Sequence, residues 1–198
     1  MILRRFVVPV MAATLLVAAC KKEAPPPPAP TGPTEAELAR RRADSIAEVR
    51  AAAEAAAARE RAAAEARTAR ERAAAAARVT LEEMVFFDYD KSDIREDAAT
   101  VLRRKADVLR VSPQVQMRIE GHADERGSTE YNLALGNRRA EAVRQFLAGF
   151  GLAADRFSII SYGEERPLEN RADESAWSRN RRAQFDITAG ANAINPPN

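Results

Sequence analysis

An aspartate and an arginine stand fifteen residues apart in the segment GHADERGSTEYNLALGNRRAEAV, residues 121–143. Asp124 follows a run that reads as a strand, and Arg139 lies inside the helical pattern that comes next. A helix that packs back across the strand it follows can bring such a pair into one cleft. There the two can close on each other as a structural salt bridge. They can equally divide a ligand that carries an ammonium and a carboxylate, the arginine offering the carboxylate a bidentate fork. Residue types alone leave both readings open. Other chemistries have less to draw on. His122 is the single histidine and Cys20 the single cysteine, so neither has the companions a zinc site takes, and no serine shows a histidine partner at local spacing. His122 is expected to pack or to support its loop. Asp88, Asp90 and Asp93 lack the glycine and closing glutamate spacing of a calcium loop. No metal, cofactor or catalytic residue is expected.

The frame for these residues lies after residue 80. Hydrophobic residues make up 46% of the 198, but aromatics only 6%, and between residues 36 and 77 the apolar residues are nearly all alanine. The larger apolar side chains, from Phe86 to Phe185, gather in the second half, enough for one small domain over residues 80–190. Periodicity predicts strands at residues 84–89, 115–121, 157–162 and 182–188, and helices at 95–110 and 128–149. Strand, helix, strand, helix, strand, strand implies an α/β sandwich with helices against one face of a four-stranded sheet. Residues 191–198 read as a polar tail.

Four blocks in this region, FFDYDKSDI (86–94), GHADERG (121–127), FSIISYGEERP (157–167) and WSRNRRAQFDI (177–187), resemble the OmpA-like peptidoglycan-binding domains. The resemblance implies a non-catalytic domain with a mixed sheet, and peptidoglycan as its ligand. Its stem peptide would be held at the zwitterionic end of diaminopimelate, Asp124 taking the ammonium and Arg139 the carboxylate. Tyr89, Asp90, Asn132 and Leu135 would complete the pocket. Arg138 is expected to point elsewhere, since neighbouring helix positions diverge by about 100°. Arg181 or Arg182 is expected to support the site, and Trp177 to meet a partner or to pack near Tyr162. Envelope lipoproteins of this family also bind the periplasmic protein TolB, a partnership implied by resemblance alone. A peptidoglycan-remodelling enzyme is the contrary reading, and an Asp–Arg pair suits recognition better than acid–base work.

Ahead of the domain, residues 1–19 have the charged start, apolar run and small-residue exit of a secretory signal. LVAAC, ending at Cys20, resembles the lipobox of bacterial lipoproteins, with an ordinary cleaved signal as the alternative. Lipid on Cys20 would anchor the chain to a membrane, and Lys21 in place of the family's retention aspartate implies the outer membrane. Residues 20–33 form a proline-rich tether, reaching roughly 40 Å when extended. Thr34 and Glu37 make a capping box that opens a helical spacer over residues 34–79, about half alanine and otherwise mostly Arg and Glu. From about 35 to 78 it would run roughly 66 Å. It can stand as a solitary helix, a weak coiled coil that oligomerises or binds an envelope protein, or a disordered segment. The 31 basic residues nearly cancel the 29 acidic ones, and arginines interleaved with glutamates leave no nucleic-acid footprint.

Overall fold

The computed structural model describes residues 32–197. The expected leader over 1–19, Cys20 and the tether as far as residue 31 lie outside the described residues. The chain falls into two units, one ending at Ala53 and the other covering Glu54–Asn198.

Helix α1, Glu35–Glu82, begins in the first unit. Its capping box is formed: the Thr34 N–H donates to Glu37 Oε2 at 2.8 Å and the Glu37 N–H to Thr34 Oγ1 at 3.3 Å. Every side chain from residue 32 to Ala53 is exposed. With alanine on all faces and charges spread around it, this stretch has no apolar stripe to bury.

In the second unit α1 continues past residue 78, the expected end, because its last turns gain tertiary partners. Ala77 and Leu81, one turn apart, are buried. The Lys105 ammonium donates to the carbonyls of Thr80 and Leu81 at 2.9 and 2.7 Å, satisfying two acceptors that a helix end leaves open. Then follow β1 (Val85–Phe86), α2 (Glu96–Val111), β2 (Gln116–His122), α3 (Thr129–Ala148), β3 (Phe157–Gly163), a short α4 (Glu174–Asn180) and β4 (Arg182–Ala189). The strands lie in the order β1-β4-β2-β3, with β2 and β3 parallel and the other pairings antiparallel, so the sheet is mixed. No described helix is long and apolar enough to cross a membrane.

Alternation along the strands sorts the two faces. Met117 and Ile119 of β2 sit beside Ile187 and Phe185 of β4, and with Leu102, Ala106 and Leu109 of α2 and Ala140, Val143 and Leu147 of α3 they make one core. Arg118, Glu120 and Asp186 occupy the opposite, polar face, where Arg118 pairs with both carboxylates. Helix α3 lies low on β2 at two glycines: a β-carbon on Gly121 would lie 1.8 Å from the Gly136 carbonyl oxygen. Only a side-chain-free contact lets α3 lie this low on β2.

Pairing in β1 covers only Val85–Phe86 rather than residues 84–89, because β4 starts at Arg182, opposite Phe86. Beyond Phe87, whose N–H donates to the Arg181 carbonyl, the chain turns out of the sheet, with the Lys91 N–H on the Asp88 carbonyl and Asp90 at φ 53°. Helix α4 was not expected; the Asp173 carboxylate caps it by accepting from the Ala176 N–H at 3.0 Å.

Candidate functional site

Three elements deliver the candidate residues to one place. The turn after β1 carries Tyr89 and Asp90, the end of β2 runs into Asp124, and α3 presents Asn132, Leu135 and Arg139 at i, i+3 and i+7, one stripe of a helix. Ser128 starts α3 by accepting from the Tyr131 N–H at 3.2 Å. All six residues line a single pocket of about 90 Å³, together with Arg126, Gly127 and Tyr131. Pockets that enclose whole small molecules measure several hundred cubic ångströms; this one has room for the end of a side chain.

Arg139 is fully buried. Its Nε donates to the Lys91 carbonyl at 2.8 Å, Nη1 to that of His122 at 2.7 Å and Nη2 to that of Asp88 at 3.0 Å. It therefore staples the turn after β1 to the end of β2. A guanidinium has five N–H bonds, so one remains on each terminal nitrogen. Burial lowers its pKa to about 10, with Asp124 opposing the fall, and it stays charged at neutral pH. Arg138, next along α3, is exposed and faces Tyr131, as the helix geometry requires.

Asp124, also buried, does not pair with Arg139. Its carboxylate accepts from Arg126, whose Nη2 lies 2.7 Å from Oδ2, and from Arg181 Nη1 at 3.2 Å. Burial would raise its pKa, but the hydrogen bonds from Arg126 and Arg181 prevail and hold it below the usual carboxylate value. Arg181, at the end of α4, also donates to the Phe87 carbonyl and to Glu174; Arg182 instead reaches the Arg166 carbonyl. Asn132 donates to Glu164 Oε2 at 2.6 Å, and the Tyr131 hydroxyl donates to Asp90. Trp177 belongs to the rim of this site: its indole N–H donates to Glu125 and its ring faces the Arg126 guanidinium. Arg126 is the residue that sequence reasoning passed over. The Asp-x-Arg spacing of residues 124–126 was its signal, since it allows the Arg126 N–H and side chain to return to one carboxylate.

Asp124 is held ionised and Arg139 protonated near neutrality, so neither of these two is poised to exchange a proton there. His122 is buried, its ring nitrogens lack hydrogen-bond partners, and its pKa is lowered to about 3. Fold and site thus define an α/β domain with a mixed four-stranded sheet and a small, charged pocket beside it. Residues 86–181 match the OmpA family, and the chain belongs to that family. Its relatives include the peptidoglycan-associated lipoprotein of Mesorhizobium japonicum, 53% identical over 105 residues, which are 53% of this chain and 62% of that one. That of Haemophilus influenzae is 46% identical over 50% of this chain and 65% of its own length. The chain thus spans less than two thirds of these curated relatives. The crystal structure of the peptidoglycan-associated lipoprotein from Burkholderia pseudomallei is similar with a TM-score of 0.52 and 39% identity, over 53% of this chain and 89% of that one. The C-terminal domain of Helicobacter pylori MotB, 20% identical with a TM-score of 0.51 over 56% of this chain and 87% of its own, shares the fold.

Proposed function

We propose that the chain is a lipoprotein of the outer membrane that holds peptidoglycan non-covalently through the diaminopimelate residue of its stem peptide. The convergence of Asp124 and Arg139 on one small pocket carries this reading. The end of diaminopimelate bears an ammonium and a carboxylate on one carbon. Asp124 is assigned the ammonium, and the two unspent N–H bonds of Arg139 are assigned the carboxylate as a fork. Tyr89, Asp90, Asn132 and Leu135 form the walls. The names of the curated relatives, peptidoglycan-associated lipoproteins, support the same ligand and a lipid on Cys20. On this reading residues 34–79 are a spacer between membrane and wall, and the chain serves as the lipoprotein of a Tol-Pal system with TolB as a partner.

Co-sedimentation of the purified chain with peptidoglycan sacculi tests the pocket. Asp124→Asn and Arg139→Lys should each weaken binding by about tenfold or more, as expected for loss of a charge-assisted hydrogen bond, while circular dichroism stays that of the wild type. A wild-type chain left in the supernatant, or folded variants that pellet as well as it does, would discard the reading.

A further inference from the structure

The Asp124 carboxylate has no acceptor position left. Oδ1 accepts from the Arg126 backbone N–H at 3.2 Å and from its Nε at 3.1 Å; Oδ2 accepts from Arg126 Nη2 at 2.7 Å and from Arg181 Nη1 at 3.2 Å. An ionised carboxylate offers about four lone-pair sites, so a ligand ammonium can reach Asp124 only by displacing a donor. Arg181 is fixed: its side chain is 7% exposed and also held by the Phe87 carbonyl and Glu174. Arg126 is the movable one. Its side chain is 29% exposed, and its guanidinium lies between the rings of Tyr89 and Trp177, 3.9 and 4.2 Å from their centroids. It is a cation already seated where the ligand's cation must go.

We infer that Arg126 determines specificity as a self-ligand of Asp124, shutting out simple amines and exchanging with ligands that bring a carboxylate beside their ammonium. This rests on Asp124 being the ammonium partner. Exchange with a plain amine leaves the guanidinium of Arg126 beside the new cation with Glu174 as its remaining anion, 3.6 Å away and shared with Arg181 at 2.7 Å, and with Arg139 and Arg181 close by. Like charges brought together in a half-buried site are costly. A zwitterion carries its own remedy, because its carboxylate gives Arg126 as well as Arg139 an anion to bind. The side chain that blocks the site against the wrong ligand thus becomes a contact for the right one.

Isothermal titration of the full chain with meso-diaminopimelate and with cadaverine, the same diamine lacking both carboxylates, separates the possibilities. Wild type should prefer diaminopimelate by about tenfold or more, the order expected for one ionic contact. Arg126→Gln should bind cadaverine about tenfold more tightly than wild type does, narrowing the preference. Trp177→Leu, which removes one ring from beside Arg126, should shift cadaverine binding the same way by less. No gain for cadaverine in either folded variant overturns the role of Arg126. That outcome is distinct from a wild type blind to diaminopimelate, which counts against the functional reading, because the cadaverine gain is measured without reference to it.

Discussion

At the scale of single residues, the site pairs one group committed to structure with one held in reserve. Arg139 spends three N–H bonds on backbone carbonyls and keeps two, whereas Asp124 is wholly engaged by arginines. His122 stands apart as a cost. Burial first, and then the charges of Arg182 and Arg166, lower its pKa to about 3. Between that value and its ordinary 6.5, the unfolded chain takes up a proton that the folded chain refuses, so this histidine removes stability as pH falls through the window. The slope approaches about 1.4 kcal/mol per pH unit. His122→Phe should flatten it, and urea midpoints of both proteins at pH 6.5 and 4.5 measure the difference; equal slopes would show that His122 does not titrate this way. Much of the pocket was legible in the sequence, because a stripe on a helix and a strand-end carboxylate follow from periodicity and chain order. The engagement of Asp124 by Arg126 was not, since it depends on a side chain folding back within three residues, which no period reports.

Among the elements, α3 sets the geometry of the pocket by lying close on β2 at Gly121 and Gly136. Gly121→Ala would press a methyl group into a backbone carbonyl that cannot retreat without lifting α3. We expect a loss of about 1–3 kcal/mol or more, as for overpacked cores, together with weakened sacculus binding as Arg139 moves with its helix. Thermal unfolding and co-sedimentation of that variant check both; native stability and binding would mean that the helix seats itself by other contacts. The long helices and the three longer strands could be read from their patterns. Strand β1 could not be measured from MVFFDY, because its length is set by where β4 begins to pair. Helix α4 is seven residues long, less than the span over which an apolar repeat becomes distinct, and it was betrayed only by the capping position of Asp173. Yet it supplies Trp177 and leads into Arg181, both of which meet the site loop.

For the molecule as a whole, residues 54–198 hold together partly through a lysine in the core. Lys105 is fully buried, with its ammonium 3.9 Å from the centre of the Phe185 ring, and burial, opposed by Glu83, lowers its pKa to about 7. From there up to 10.5 the unfolded chain binds a proton that the folded one has shed, so stability rises with pH across that interval. Between pH 7 and 9 the gain should be about 2 kcal/mol. The neutral amine still has two hydrogens for the two carbonyls of α1. Denaturant titrations at both pH values, with Lys105→Met as the flat reference, test this. A wild type no steeper than the variant would mean that Lys105 keeps its charge. The same contact has a mechanical side. Whatever pulls on α1 reaches the domain through a short strand of two paired residues and through a seam of Ala77, Leu81 and the hydrogen bonds of Lys105. Load on the last turns of α1 is handed there to side chains of the core before it reaches the two paired residues of β1.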